Sequence, residues 1–325
     1  MADGKAELRG DNGPMKRRAT VRGNTTNAGH LSRALVLLRT SASGVNGVTI
    51  VGVLGESNRL MDSERASLIE AAVEVARSVD RPFRVCVGAS HAGTHATVAL
   101  SAMAQKMGAD GVMVTPSKEP APASDDAIVE LFAAVERGCP GLPIVLQDHP
   151  ASTQVFMQPP LLARISREVP AIACIKLESL PSPAKIRSLR GLWEQAPPAG
   201  NPVTILTGLG ALYGGFDLEQ GTEGFMTGFA FPEILIAMND AAQAGDLELA
   251  HRLYSRFLPL MVFEQQPGVG VRKEIYRLRG LIESTRVRHP APGAAPVLVE
   301  ALERQIQRSL PGVDITKPLP KEIFV

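Results

Sequence analysis

VTIVGVLGESNRLMDSERASLIEAAVEVARSVDRPFRVCVG (residues 48–88) holds one complete strand–helix–strand repeat. It opens with an apolar, β-branched run, VTIVGVL (48–54), and closes with another, FRVCVG (83–88). Between them, in ERASLIEAAVEVARSV (64–79), Leu68, Ala71, Ala72 and Val75 recur at i, i+3, i+4 and i+7. That spacing puts them on one face of a helix. Asp62 and Ser63 precede the helix as caps, and Glu64 falls in its first turn, where the helix dipole favours an anion. Strands that are apolar throughout, rather than alternating, are buried on both faces, as in a parallel sheet covered by helices.

The unit repeats along the chain. GVMVTP (111–116), PIVLQD (143–148), AIACIK (171–176), VTILTG (203–208) and EGFMTG (223–228) are strand-like, and strand starts recur about every thirty residues, the length of one βα unit. Helical patterns lie between them at 96–108, 126–138, 159–169 and 183–196. No GxGxxG follows the first strand, which weighs against a dinucleotide-binding doubly wound sheet. The expected architecture is α/β, a (β/α)₈ TIM barrel with a C-terminal helical extension. Only seven strands are clear, where a closed barrel needs eight. ATVRG (19–23) is the one N-terminal candidate for the poorly defined first strand, and HLSRALVLLRTSASG (30–44) reads as the helix after it. The expected division is an uncertain N-terminus over 1–28, the barrel over 29–231, helices over 232–310 and an irregular tail over 311–325.

Composition removes several function classes. The 34 Lys+Arg balance 33 Asp+Glu for a net charge of +1, which gives no reason to expect nucleic acid or an anionic membrane as partner. The basic clusters MKRR (15–18) and RVRHP (286–290) are too short to change that. No apolar run approaches the ~20 residues of a membrane span. The opening MADGKAELRGDNG has no secretory signal's apolar segment. Three cysteines, Cys86, Cys139 and Cys174, are odd in number and far apart, as in a reduced, cytoplasmic protein. HAGTH (91–95) lacks the Glu of a metalloprotease helix, so His91 and His95 read as loop histidines and no metal is expected.

Lys176 ends the buried run AIACIK. It therefore stands at the carboxyl end of a strand, where barrel active sites form. Apolar surroundings disfavour its charged form, and a neutral amine in a dry pocket is the nucleophile that makes a Schiff base with a carbonyl. The competing reading is a lysine that snorkels to the rim or pairs with Glu178. GVLGES (52–57), with two glycines directly after a strand, reads either as a concave backbone anion site suited to a substrate carboxylate or as an ordinary tight turn. Cys174 shares a face with Lys176 by strand parity and reads as a small residue filling the barrel.

GVLGES-x-x-L with an ERxxLIExA helix, VGAS, GADGVMVTP, PIVLQDHPAST and IKLES, in this order over about 45–290, resemble the dihydrodipicolinate synthase / N-acetylneuraminate lyase family. The resemblance implies a class I aldolase-type barrel, usually a homotetramer, that binds pyruvate or another 2-oxo acid as a Schiff base and needs no metal or organic cofactor. It puts the Schiff-base lysine on Lys176 and the carboxylate-binding turn on Gly52-Val53-Leu54-Gly55-Glu56, with Ser57 beside it. It also puts the glycine ending strand seven on Gly208, and the closing strand on GFMTGFAFP (224–232), where Thr227 is the substrate-binding candidate. The departures carry information. Val53 and Leu54 replace a Thr pair, Gln147 replaces the proton-shuttling Tyr, Ser117 and Lys118 replace a Tyr pair, and Ser152 replaces the Arg that clamps the second substrate. An amide moves no proton near neutral pH, and a serine makes no bidentate clamp.

The Gln147-Asp148 pair is closer to the branch that handles 2-keto-3-deoxy sugar acids, by dehydration or retro-aldol cleavage, than to the lysine-biosynthetic synthase. In that reading Lys176 and Gln147 are the catalytic pair, and Gly55, Glu56, Ser57, Gly208 and Thr227 bind substrate. His149 and Glu178, each two positions from an inward residue, are the proton-transfer candidates. The rivals are a 4-hydroxy-tetrahydrodipicolinate synthase-type condensation of pyruvate with an aldehyde, and a non-catalytic paralogue that only binds a 2-oxo acid.

Overall fold

The computed structural model describes residues 20–21, 41–117, 123–266 and 268–325. Eight parallel strands form its centre: β1 (Thr20–Val21), β2 (Gly47–Ile50), β3 (Arg84–Gly88), β4 (Gly111–Val114), β5 (Ile144–Asp148), β6 (Ile172–Leu177), β7 (Thr204–Thr207) and β8 (Met226–Thr227). Their order is β7-β6-β5-β4-β3-β2-β1-β8, and a further parallel bridge from Thr207 to Phe225 joins the two ends. The ring is a (β/α)₈ barrel. Its missing member sits inside the weak ATVRG segment: Thr20 pairs with Gly47 on one side and Met226 on the other. Two paired residues leave almost no periodic signal, which is why the strand reads poorly in sequence. The helix expected over 30–44 lies, apart from its last residues, outside the described residues.

Helices α1 (Asp62–Ser78), α2 (Thr94–Lys106), α3 (Asp125–Gly138), the single turn α4 (Pro150–Thr153), α5 (Pro159–Glu168), α6 (Ser182–Gln195) and α7 (Gly214–Glu219) intersperse the strands. Helix α1 buries Leu68, Ala71, Ala72 and Val75, the stripe its spacing marks out. Its cap differs from expectation. Met61 holds the N-cap position and its N–H donates to the Glu64 carboxylate at 2.9 Å, so Asp62 and Ser63 lie inside the first turn. In β2, β4, β5 and β7 every residue is buried, as strands covered on both faces must be.

Alternation divides each strand. Cys86, Met113, Val145, Cys174, Leu206 and Met226 form a separate cluster that fills the lumen, while Val48, Val87, Val112, Ile144, Leu146 and Ile175 pack outward against the helices. After β8 come α8 (Pro232–Gln243), α9 (Leu247–Glu264), α10 (Gly270–Leu278) and α11 (Pro296–Ser309). They share one apolar core with Phe225, Phe229 and Phe231 of the β8 region, so the C-terminal helices are packed onto the end of the barrel wall. The tail closes with one 3₁₀ turn, Lys321–Phe324.

Candidate active site

Register decides which β6 side chains enter the barrel. Cys174 pairs with Val145 and Lys176 with Gln147 and Leu206. Because Cys174, Val145 and Leu206 belong to the lumen cluster, Lys176 and Gln147 point inward too, one step nearer the carboxyl end. Lys176 is 0% exposed, so it does not snorkel. Its Nζ donates to Glu178 Oε2 at 2.6 Å, and Gln147 Nε2 donates to the same oxygen at 2.5 Å. The other Glu178 oxygen accepts the Leu209 N–H at 3.0 Å. An unpaired ammonium in such a place would carry a large desolvation penalty, which the satisfied carboxylate offsets. The two readings of Lys176 thus meet: it pairs with Glu178, and it does so in the dry mouth of the barrel.

Glycine at 208 follows from this contact. A Cβ there would fall inside the Glu178 side chain. The next three residues, Leu209 (φ 46°), Gly210 (φ 65°) and Ala211 (φ 64°), are all left-handed, an unusual run for two non-glycine residues. It follows directly on the segment whose Leu209 N–H meets Glu178. Beside Glu178 lies a narrow cleft lined among others by Ser179, Gly208, Tyr213 and Asp217. Asp217 accepts from Ser182 Oγ at 2.7 Å and Thr207 Oγ1 at 3.1 Å, and burial pushes its carboxyl up to about 6. Asp148, next to Gln147, is buried against Lys185 Nζ at 2.6 Å. Burial raises its pKa and Lys185 opposes the rise.

The GVLGES turn is put together differently from expectation. Gly55 N–H donates to Gly52 O at 2.9 Å, Glu56 N–H to Val53 O at 3.1 Å and Ser57 N–H to Gly52 O at 3.4 Å. The three residues expected to bind substrate thus use their own amides to close the turn. The amides of Gly52, Val53 and Leu54 are the ones left without an acceptor among the described residues. The Glu56 side chain turns to the C-terminal helices: Oε2 accepts from Lys273 Nζ at 2.7 Å and Oε1 from the Arg288 N–H at 2.8 Å. It is an anion seated on a cation and does not serve as a receptor for a substrate carboxylate. Burial lowers the Lys273 pKa and Glu56 opposes the fall.

Two further expectations are corrected. Thr227 pairs with Val21, which pairs with the outward-packed Val48, while its neighbour Met226 fills the lumen. Thr227 is therefore on the outer face of β8 and its side chain does not reach the pocket. His149 sits just before α4, with Nδ1 2.7 Å from Ser152 Oγ, and acts in a local turn. The structure joins Lys176, Gln147, Glu178 and Gly208; it does not bring Glu56, Thr227 or His149 to them. His91 and His95 are exposed, with His91 Nδ1 accepting the Gly93 N–H at 3.1 Å. Among the described residues no group of three or more His, Cys, Asp or Glu is placed to hold a metal, and no helix is long and apolar enough to cross a membrane.

Lys273, Arg288 and Asp217 were not candidates from sequence. The one signal for Lys273 is the segment VRKEIYRL (271–278), where two adjacent cations interrupt an amphipathic helix.

Residues 39–308 match the model of the Dihydrodipicolinate synthetase family. The chain is 33% identical over 265 residues to L-2-keto-3-deoxyarabonate dehydratase of Azospirillum brasilense, covering 78% of this chain and 80% of that one. It is 30% identical over 252 residues to 4-hydroxy-tetrahydrodipicolinate synthase of Persephonella marina, covering 76% and 81%. The crystal structure of dihydrodipicolinate synthase from Rhodopseudomonas palustris superposes with a TM-score of 0.82 at 28% identity, covering 90% of this chain and 97% of that one. An E. coli K12 prophage protein of the dihydrodipicolinic acid synthase family, solved in complex with pyruvate, shares the fold with a TM-score of 0.79 at 24% identity, covering 90% and 98%.

Proposed function

The chain belongs to the dihydrodipicolinate synthetase family, and from that premise we propose that this Schiff-base lyase of pyruvate-derived substrates dehydrates a 2-keto-3-deoxy sugar acid through an imine on Lys176. The observation that carries the reading is the buried contact of Lys176 and Gln147 with one oxygen of Glu178. Glu178 takes a proton from the Lys176 ammonium, and the freed amine attacks the substrate's 2-oxo carbon. Glu178 returns that proton to the carbinolamine hydroxyl, which leaves as water to give the iminium and the free carboxylate. The substrate carboxylate lies against the free amides of Val53 and Leu54.

Glu178 then removes a proton from C3 while the iminium accepts the electron pair as an enamine. The enamine expels the C4 hydroxyl, which leaves as water with the proton that Glu178 returns. Water hydrolyses the remaining imine, freeing the unsaturated 2-oxo acid and Lys176. Gln147 moves no proton; its amide holds the Glu178 carboxylate and the substrate's hydroxyls.

The dehydratase relative from Azospirillum brasilense agrees with this assignment. The synthase relatives keep condensation of pyruvate with an aldehyde as the second reading, against which stand Gln147 and Ser152 at the positions of the shuttle and the clamp. The same reading carries a cytoplasmic homotetramer with neither metal nor organic cofactor.

The test is borohydride reduction with pyruvate, followed by intact-mass and peptide analysis. A stable adduct on Lys176, absent from Lys176→Ala, is expected. No adduct on a folded chain would leave only a 2-oxo-acid-binding paralogue. Turnover of a panel of 2-keto-3-deoxy acids, read as unsaturated product or as released pyruvate, then separates dehydration from retro-aldol cleavage.

A further inference from the structure

We propose that Lys273, on the C-terminal helix α10, is a positioning residue for the carboxylate-binding turn. Its ion pair with Glu56 holds the turn in the form that leaves the amides of Val53 and Leu54 available to substrate. The inference rests on the reading that this turn receives the substrate carboxylate, and carries it to a side chain 217 positions along the chain.

Glu56 has φ 54°, ψ 35°, a left-handed conformation that L-residues other than glycine rarely adopt unless their surroundings impose it. The imposition is visible. Both carboxylate oxygens are engaged, one by Lys273 Nζ at 2.7 Å and one by the Arg288 N–H at 2.8 Å. Lys273 is itself fixed by the Arg286 carbonyl at 2.6 Å. The Arg288 guanidinium reaches on to Glu64 in the first turn of α1 and to the Arg59 carbonyl. Segment 286–288 and α10 therefore grip the turn and the helix that follows it.

The pair is 0% and 2% exposed. Without the Lys273 ammonium the buried Glu56 carboxylate keeps the Arg288 N–H and, at 3.8 Å, the Arg59 guanidinium. It loses its close cation and is poorly compensated, so the turn does not keep its shape. Release of Glu56 frees its backbone to leave the left-handed region, and the amides on either side turn with it. Helix α10 also holds the opposite loop, with Tyr276 Oη donating to the Gly228 carbonyl at 3.4 Å. A Cβ on Gly228 would come within 2.8 Å of Leu54 Cδ1, so the two loops touch at the mouth.

The experiment titrates pyruvate against borohydride trapping in the full chain, wild type, Lys273→Met and Lys273→Arg, with melting temperature measured alongside. Two readouts are separated: the half-saturating pyruvate concentration and the labelled fraction at saturation. Positioning predicts that Lys273→Met raises the half-saturating concentration about tenfold or more, as expected for lost hydrogen bonds to a charged group. Saturating pyruvate still labels Lys176 to the wild-type extent, and Lys273→Arg, which keeps the cation, restores most of the affinity.

An unchanged half-saturation in folded Lys273→Met overturns the proposal. So does a reduced labelled fraction at unchanged half-saturation, the signature of a role in folding alone. If Lys273→Met does not fold, Glu56→Gln, which keeps the side chain's shape, is read by the same two criteria. A wild-type chain that forms no adduct at any concentration is a different result, since it removes the Schiff-base reading itself.

Discussion

A carboxylate held 2.6 Å from a buried ammonium and 2.5 Å from an amide can pass a proton without moving, and substitution separates that role from imine formation. Glu178→Gln keeps the shape and the Gln147 contact but removes the base. Turnover should fall about 10²- to 10³-fold, within the range for general acid–base groups. Trapping at Lys176 should recover as the pH is raised, since solvent base then takes the ammonium proton in place of Glu178. Turnover within threefold of wild type would assign the proton to another group. Gly208→Ala tests the same carboxylate from the other side: the new methyl overlaps the Glu178 side chain and must displace it. A comparable loss of kcat should accompany a destabilisation of about 1–3 kcal/mol, typical of overpacking, measured by denaturant titration.

How legible these residues are depends on where their partners lie. Lys176 was readable because a charge that ends a continuous apolar run has one location in a barrel. Glu178 was readable by parity, two residues on. Thr227 was misplaced because face assignment in a two-residue strand needs the register of its neighbours. The partner of Glu56 could not be read at all, since no local pattern reaches from residue 56 to residue 273.

Among the elements, the short helix α7 has a titrating function of its own. Its Asp217 ties Ser182 at the start of α6 to Thr207 at the end of β7, the two segments that flank Glu178. Burial raises its carboxyl from 3.8 to about 6 in the fold. The unfolded chain therefore loses this proton first. The stability contributed by protonated Asp217 is fully present below about pH 4 and disappears as pH rises through 6. A shift of that size corresponds to about 3 kcal/mol at most. Asp217→Asn has no charge to bury and should gain on the wild type between pH 4 and 7. Thermal melts across that window check it, and a difference that stays flat with pH would show Asp217 ionised at little cost. Element boundaries followed the same rule as residues. Helices with a one-sided stripe, such as α1, were legible, whereas β1 and the Met61 cap were not, because each is defined by pairing that only the closed ring or the helix start supplies.

The molecule as a whole depends on its C-terminal helices more than a barrel with an appendage would. Phe225, Phe229 and Phe231 of the wall share a core with Leu302, Ile306, Leu310 and Leu319, and α10 bears the lysine that holds the GVLGES turn. Removing residues 296–325 would delete the last four of these side chains and uncover the apolar surface they bury. At about 1.5–3 kcal/mol each, an upper range for full burial, the loss is about 6–12 kcal/mol, comparable with the entire stability of an ordinary domain. The truncated chain should therefore lack a cooperative melt and aggregate, rather than persist as an intact barrel with a weaker site. Circular dichroism melts and size-exclusion chromatography distinguish the two. A monodisperse truncated chain that melts within a few degrees of wild type and still traps pyruvate on Lys176 would show that the barrel stands alone. The sequence points to the dependent outcome in one respect only: the helices after residue 232 are apolar on one face and must cover something, and what they cover includes the aromatic end of β8.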